Sequence, residues 1–143
     1  MSNDIDQIME WAVWANLDTK TDLELILLKG HLLLEFILDI KLERSNILDY
    51  KEYSFYRKIL NLKNIDFEDN VKKDYIISCL QTINKLRNKL AHELHFNIGN
   101  GELEIWSSNI LVKFKGEKFT KYTFRTKIVH SFSILSKNIL ELN

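Results

Sequence analysis

The near absence of helix-breaking residues constrains this chain more than any other feature. Its 143 residues include no proline and only four glycines. Because proline and glycine most often end helices and form turns, we expect long helices. Gly99, Gly101 and Gly116 fall in one late region, so turns are expected mainly there. The length fits one domain of about 100–150 residues, and we treat residues 1–143 as a single domain.

Apolar residues recur every three or four positions through most of the chain, which is the spacing of one face of a helix. This pattern predicts helices over about residues 4–17, 21–43, 52–62, 70–93 and 121–142. Thr21 and Glu24 have the spacing of a capping box, in which the two side chains satisfy free amides at the start of a helix. The segment that begins at Thr21 is the clearest helix of the five.

Between residues 95 and 118 the apolar period changes to two. Leu103 and Ile105 stand on either side of Glu104, and Ile110, Val112 and Phe114 recur at every second position after the polar stretch 107–109. Alternation of this kind predicts a β-hairpin near residues 102–114. The expected fold is therefore all-α: an antiparallel four-helix bundle with an N-terminal helix and a small inserted hairpin.

Composition gives no support for a nucleic-acid-binding or a membrane-spanning protein. Lys plus Arg and Asp plus Glu number 20 each, so net charge gives no argument for a nucleic-acid partner. No window approaches the ~18 apolar residues of a membrane span, and no membrane association is expected. The single cysteine, Cys79, precludes an intrachain disulfide and is expected in the core, which fits a cytoplasmic location.

Arg87 and His92 lie near the end of the fourth predicted helix. Arginine carries a permanent charge suited to a phosphate, and histidine titrates close to neutral pH, as a general acid or base requires. Together they suit phosphodiester cleavage. The alternative is a helix-terminal histidine favoured by the helix dipole, beside an arginine that pairs with an acidic neighbour. Spacing alone favours this alternative, because the pattern is short.

The segment Leu86-Arg87-Asn88-Lys89-Leu90-Ala91-His92 resembles the signature of the HEPN superfamily (higher eukaryotes and prokaryotes nucleotide-binding). That signature is R-x4–6-H with a polar residue, often Asn, directly after the Arg. Together with residues 29–35, the segment resembles stand-alone bacterial members, including a mannitol-repressor-like group. The resemblance covers the helix pattern of residues 21–95 and 120–142 and excludes the first helix and the hairpin.

The resemblance implies a helical bundle that forms a homodimer with a shared cleft. Many members are metal-independent ribonucleases that act as toxins, with a cognate antitoxin, or in phage defence. Carried over by position, Arg87 would bind the scissile phosphate, Asn88 would orient it and His92 would move a proton. A two-fold axis would supply two histidines, one as base and one as acid. Other members are non-catalytic modules that bind protein or nucleotide, and this remains the alternative.

His31 and Glu35 are four residues apart on the second predicted helix and therefore share a face. They would either lie in the same cleft, with Glu35 setting the charge of His92, or form a buried pair that fixes helix register. His92, Glu93 and His95 give only a partial set of metal ligands, so no metal or other cofactor is expected.

A basic segment late in the chain is the best local candidate for contact with nucleic acid. Its cations alternate with aromatic residues that could stack on the bases of single-stranded RNA. The alternative is a solvated hairpin edge whose lysines discourage aggregation. The candidate RNA-binding cations are Lys113, Lys115, Lys118, Lys121, Arg125 and Lys127, together with Lys89 beside the R-x4-H motif.

Overall fold

A computed structural model describes residues 4–93, 101–114 and 122–143 of the chain. Within these ranges the chain forms six α-helices and one short 3-10 helix, Tyr50–Glu52, and no β-strand. The all-α class predicted from sequence is confirmed. The helices are α1 Asp4–Asp18, α2 Leu23–Arg44, α3 Phe55–Lys63, α4 Asn70–His92, α5 Glu102–Lys113 and α6 Phe124–Leu140.

Local capping explains where α2 and α3 begin. The capping residue of α2 is Asp22 rather than Thr21: its carboxylate accepts hydrogen bonds from the amides of Glu24 at 2.8 Å and Leu25 at 3.1 Å. Ser54 caps α3 by accepting from the amide of Arg57 at 3.2 Å. The helix predicted from residue 52 therefore begins three residues later, after a separate 3-10 helix.

The hairpin predicted near residues 102–114 is wrong, because this segment forms α5. Its buried residues have helical spacing, whereas Ile105 and Val112, which suggested alternation, are mostly exposed. Ser107 lies in the core rather than in a turn, and its hydroxyl bonds to that of Ser131 in α6 at 2.6 Å. The buried residues of α5 are Leu103, Trp106, Ser107, Ile110 and Leu111.

The last helix, α6, lies at the centre of the fold and packs against α1, α2, α4 and α5. Serines fill part of its buried surface where neighbouring helices come close. The Ser136 hydroxyl donates to the carbonyl of Phe132 at 2.8 Å, and that of Ser131 donates to the carbonyl of Lys127 at the same distance. Each buried hydroxyl thus has a partner and avoids the cost of an unsatisfied polar group.

Gly30 allows α2 to approach α6 closely. A Cβ atom at this position would lie 2.5 Å from carbons of the Phe132 ring, well inside van der Waals contact. The ring cannot retreat easily, because Trp106 of α5 packs against it with a centroid separation of 4.9 Å and Phe132 is fully buried. The α2–α6 contact therefore requires glycine at residue 30.

We predict that Gly30→Ala destabilises the protein although alanine is the better helix former. Overpacking costs about 1–3 kcal/mol and the helix propensity returns up to ~1, so the free energy of unfolding should fall by about 1–2 kcal/mol. Urea unfolding measures this change. Lys29→Ala, at an exposed neighbouring position, should stay close to wild type. Adding Phe132→Leu should recover part of the loss, and a purely additive double variant would contradict the packing argument.

Candidate functional site

A cleft of about 310 Å³ lies where α2, the start of α3 and the last part of α4 meet. Four residues singled out in the sequence line it: His31, Glu35, Arg87 and Asn88. The structure thus brings two predicted pairs, 56 positions apart in sequence (residue 87 minus residue 31), into one site. The remaining lining residues are Ser54, Phe55, Tyr56 and Asn84.

His31 is held on two sides within this cleft. Its Nε2 lies 3.0 Å from Oδ1 of Asn84, so the imidazole donates from Nε2 to the amide oxygen and carries its proton on that nitrogen when neutral. The ring packs against Phe55 with a centroid separation of 4.0 Å. Through these two contacts His31 joins α2 to both α3 and α4, and its side chain is only 6% exposed.

The surroundings of His31 favour its neutral form. Burial penalises the charged imidazolium and lowers the pKa of His31 below its usual 6.5, and the positive charge of Arg87 acts in the same direction. The hydrogen bond with Asn84 and the charge of Glu35 oppose this shift and are outweighed. His31 therefore adds no positive charge to the cleft near neutral pH.

Glu35 pairs with a lysine that the sequence pattern did not identify. Lys58 of α3 is nearly buried, and its Nζ lies 3.2 Å from Glu35 and 2.7 Å from Asp39 of α2. Burial disfavours the charged ammonium, yet the hydrogen bonds to Asp39 and Glu35 raise the pKa of Lys58 above its usual value. Glu35 thus forms its ion pair with Lys58, and its described effect on His31 is the coulombic one given above.

Arg87 supplies the positive charge of the cleft. Its guanidinium donates to Oδ1 of Asn88 at 3.3 Å, and no carboxylate of the described residues lies within ion-pair distance of it. The alternative to a catalytic role predicted that Arg87 pairs with an acidic neighbour. No such neighbour is found in the described part of the chain. An anion that enters the cleft could therefore bind the Arg87 guanidinium without displacing a carboxylate of the described residues.

His92 is the last residue of α4 and is exposed to solvent. It is four residues beyond Asn88, so it lies on the same side of α4 about 6 Å further along the helix axis. It is not among the described residues that line the cleft. One chain therefore assembles Arg87 and Asn88 with His31, but not with His92.

Each described cation that was predicted to bind RNA interacts with another residue of the chain. Lys115, Lys118 and Lys121 lie outside the described residues. Of the others, Arg125 binds Asp18 and the carbonyl of Lys20, so it fastens α6 to the α1–α2 connection. Lys127 pairs with Glu104 at 3.5 Å, Lys89 pairs with Glu102 at 3.3 Å, and Lys113 lies over the Tyr75 ring. The alternative interpretation, a solvated hairpin edge, is wrong as well, because residues 102–113 form α5 instead of a hairpin.

Comparisons with protein-family models, with curated proteins and with solved structures find no match to this chain. Residues 4–93, 101–114 and 122–143 contain no group of three or more His, Cys, Asp or Glu side chains able to hold a metal ion. No helix in these ranges is long and apolar enough to cross a membrane. His95, which completed the partial ligand set, is not among the described residues.

We predict that His31 makes stability depend on pH. Because its pKa is lowered in the folded state, the unfolded chain takes up the proton at a higher pH, and the contribution of neutral His31 is lost as pH falls below about 6.5. At pH 7.5 the free energy of unfolding of His31→Gln should be about 1 kcal/mol lower than that of wild type, since one hydrogen bond is weakened. This difference should shrink at pH 5.5.

Urea unfolding at pH 7.5, 6.5 and 5.5 measures the effect. His92→Gln is the matched control, because it removes an exposed imidazole that lines no part of the cleft. A constant difference between wild type and His31→Gln at all three pH values would contradict the proton linkage.

Proposed function

We propose that the chain is a metal-independent endoribonuclease of HEPN type that works as a homodimer in the cytoplasm, as a toxin or phage-defence effector. In this proposal α2, α3, α4 and α6 correspond to the four-helix bundle of that superfamily. The observation that carries the proposal is Arg87, which lies in the cleft beside Asn88 and has no carboxylate partner among the described residues.

The proposed chemistry assigns one role to each residue of the R-x4-H motif. The Arg87 guanidinium binds the scissile phosphate and stabilises the charge that develops on it. Asn88 holds the guanidinium through the 3.3 Å hydrogen bond. His92 takes the proton of the ribose 2′-hydroxyl, which attacks the adjacent phosphorus, and the histidine of a second copy protonates the departing 5′ oxygen.

An apolar stripe on the outer face of α2 supports the homodimer. Leu25, Leu28, Leu32 and Phe36 follow one another at intervals of three, four and four residues and are between 37% and 56% exposed. The outward face of a helix in a monomer is normally polar, so this stripe favours a protein partner. His31 and Glu35 of the cleft are adjacent in sequence to Leu32 and Phe36, so pairing along the stripe brings two clefts close together.

The second candidate is a non-catalytic HEPN module that binds protein or nucleotide. The position of His92 favours it, because the described lining of the cleft contains Arg87 and Asn88 but not His92, while His31 is buried and Glu35 is paired with Lys58. A binding module needs only the cation and the amide. A cognate antitoxin remains a proposed partner. Single-stranded RNA is the proposed substrate of the enzyme.

We predict that purified wild-type protein cleaves single-stranded RNA in the presence of EDTA and that His92→Ala and Arg87→Ala lose at least 100-fold in rate, as expected for removal of an acid–base group or of a phosphate-binding cation. The substrate is total cellular RNA, followed by a labelled oligonucleotide that contains the preferred cleavage site. Both positions are on the surface, so circular dichroism should show folded variants.

Lys63→Gln is the matched control for charge, because Lys63 is exposed at the far end of α3 from the cleft. Folded dimeric wild type that leaves all RNA intact, with or without added divalent metal, would contradict the nuclease and leave the binding module.

We predict that Leu32→Glu converts the dimer to a monomer, because it places a charge at the centre of the apolar stripe. The expected loss of dimer affinity is at least 100-fold, measured by sedimentation equilibrium. Val71→Glu is the matched control, since Val71 is 75% exposed on α4 and outside the stripe. A Leu32→Glu protein that remains dimeric would exclude α2 as the interface.

A further inference from the structure

A second cleft of about 300 Å³ adjoins the first along α3 and α4. Tyr56 and Asn84 line both clefts, so the two are contiguous and meet at these side chains. Ile59, Gln81 and Lys85 complete the second cleft. The combined depression thus lies between α3 and α4 and extends from Arg87, past Tyr56 and Asn84, to Lys85.

Each cleft contains one cation not neutralised by a neighbouring carboxylate. Lys85 is exposed, and no ion pair links it to any described residue, which is also true of Arg87 in the first cleft. Glu35, which lines the first cleft, and Asp39, four residues further along α2, are both bound to Lys58. Two anionic groups can therefore bind without displacing an existing ion pair.

Tyr56 lines both the cleft that contains Arg87 and the cleft that contains Lys85, and it is 58% exposed in the first turn of α3. A large aromatic ring gains little free energy in this position unless another surface covers it. Unpaired bases stack on exposed aromatic rings of this kind in proteins that bind single strands. A duplex offers no free base face to such a ring.

Asn84 adds a polar group at the same point. Its Oδ1 accepts from His31, which leaves the Nδ2 hydrogens for a ligand. The depression thus presents, in order, a cation, an aromatic ring with an amide donor, and a second cation. A strand of nucleic acid has the complementary order of phosphate, base with sugar, and phosphate.

We propose that the two clefts form a track for single-stranded RNA in which Tyr56 stacks on an unpaired base while Arg87 and Lys85 bind the phosphates on either side of that nucleotide. This inference rests on the proposed function, because it identifies the substrate contacts of the same site. It also moves RNA recognition from the basic segment of residues 113–127 to α3 and α4.

The test is binding of a fluorescein-labelled ten-nucleotide oligouridine with 2′-fluoro groups, which cannot be cleaved through the 2′ oxygen. Fluorescence anisotropy with the full chain gives the dissociation constant. Tyr56→Leu should bind about 10-fold more weakly, as expected for the loss of one stacked base, and Tyr56→Phe should bind like wild type. Trp11→Leu, which removes an equally exposed aromatic ring from α1, is the matched control.

The salt dependence of binding tests the two cations. Lys85→Gln and Arg87→Gln should each reduce the slope of log affinity against log salt by about 0.7, the value for one phosphate contact on a single strand. Lys63→Gln should leave the slope unchanged. An unchanged slope in both cleft variants would overturn the proposed phosphate contacts.

Three further results would overturn the track: unchanged affinity of Tyr56→Leu, equal binding of the oligonucleotide after annealing to its complement, or equally effective competition by a polyglutamate peptide. Failure of the nuclease proposal is distinguishable. Uncleaved natural RNA with Tyr56-dependent binding of the probe would refute cleavage and support the track. Cleavage with Tyr56→Leu as active and as tight as wild type would do the reverse.

Discussion

The contact between Gly30 and the Phe132 ring sets the position of α2, on which both the cleft and the exposed stripe depend. Because the ring occupies the space of a side chain at residue 30, it fixes which side of α2 faces α6. Successive residues of a helix are rotated by about 100°, so the orientation of every other residue follows. His31 is then directed towards Asn84 of α4, while Leu32 remains on the outside. A single close approach in the core thus determines where the cleft and the exposed stripe lie.

The charges around the cleft are distributed so that attraction for anions remains. Lys58 lies between Glu35 and Asp39 and neutralises part of their charge within α2 and α3. His31 is kept neutral by burial and by Arg87, so it does not compete with the guanidinium for an anionic ligand. Arg87 can then interact with a ligand at the edge of a low-dielectric region, where a charge interaction is stronger than in bulk water.

The sequence predicted most of the helices because their apolar faces are continuous and few glycines interrupt them. It failed at α5 for a physical reason: Ile105 and Val112 are apolar yet exposed, and Ser107 is polar yet buried against Ser131. The R-x4-H pattern and the His31–Glu35 spacing led to four residues that line one cleft, Arg87, Asn88, His31 and Glu35, although His92 is not among the described residues of that lining. Asn84 contacts His31, Lys58 contacts Glu35, and Tyr56 lines the same cleft. These three residues could not be found from the sequence, because their positions beside the site depend on how different helices pack.

The position of His92 bears on the role that the proposed homodimer would play in the chemistry. Within one chain the cleft holds a cation, an amide and a neutral buried imidazole, while the exposed imidazole lies about one helical turn beyond Asn88. In the proposed reaction, the proton must be transferred by a histidine that reaches the cleft from outside its described lining. Residues 31 and 35 of α2 face the cleft, and residues 32 and 36 face solvent. An interface along α2 would therefore be next to the cleft, and the proposed mechanism requires that a second copy bound there place its own His92 beside the site.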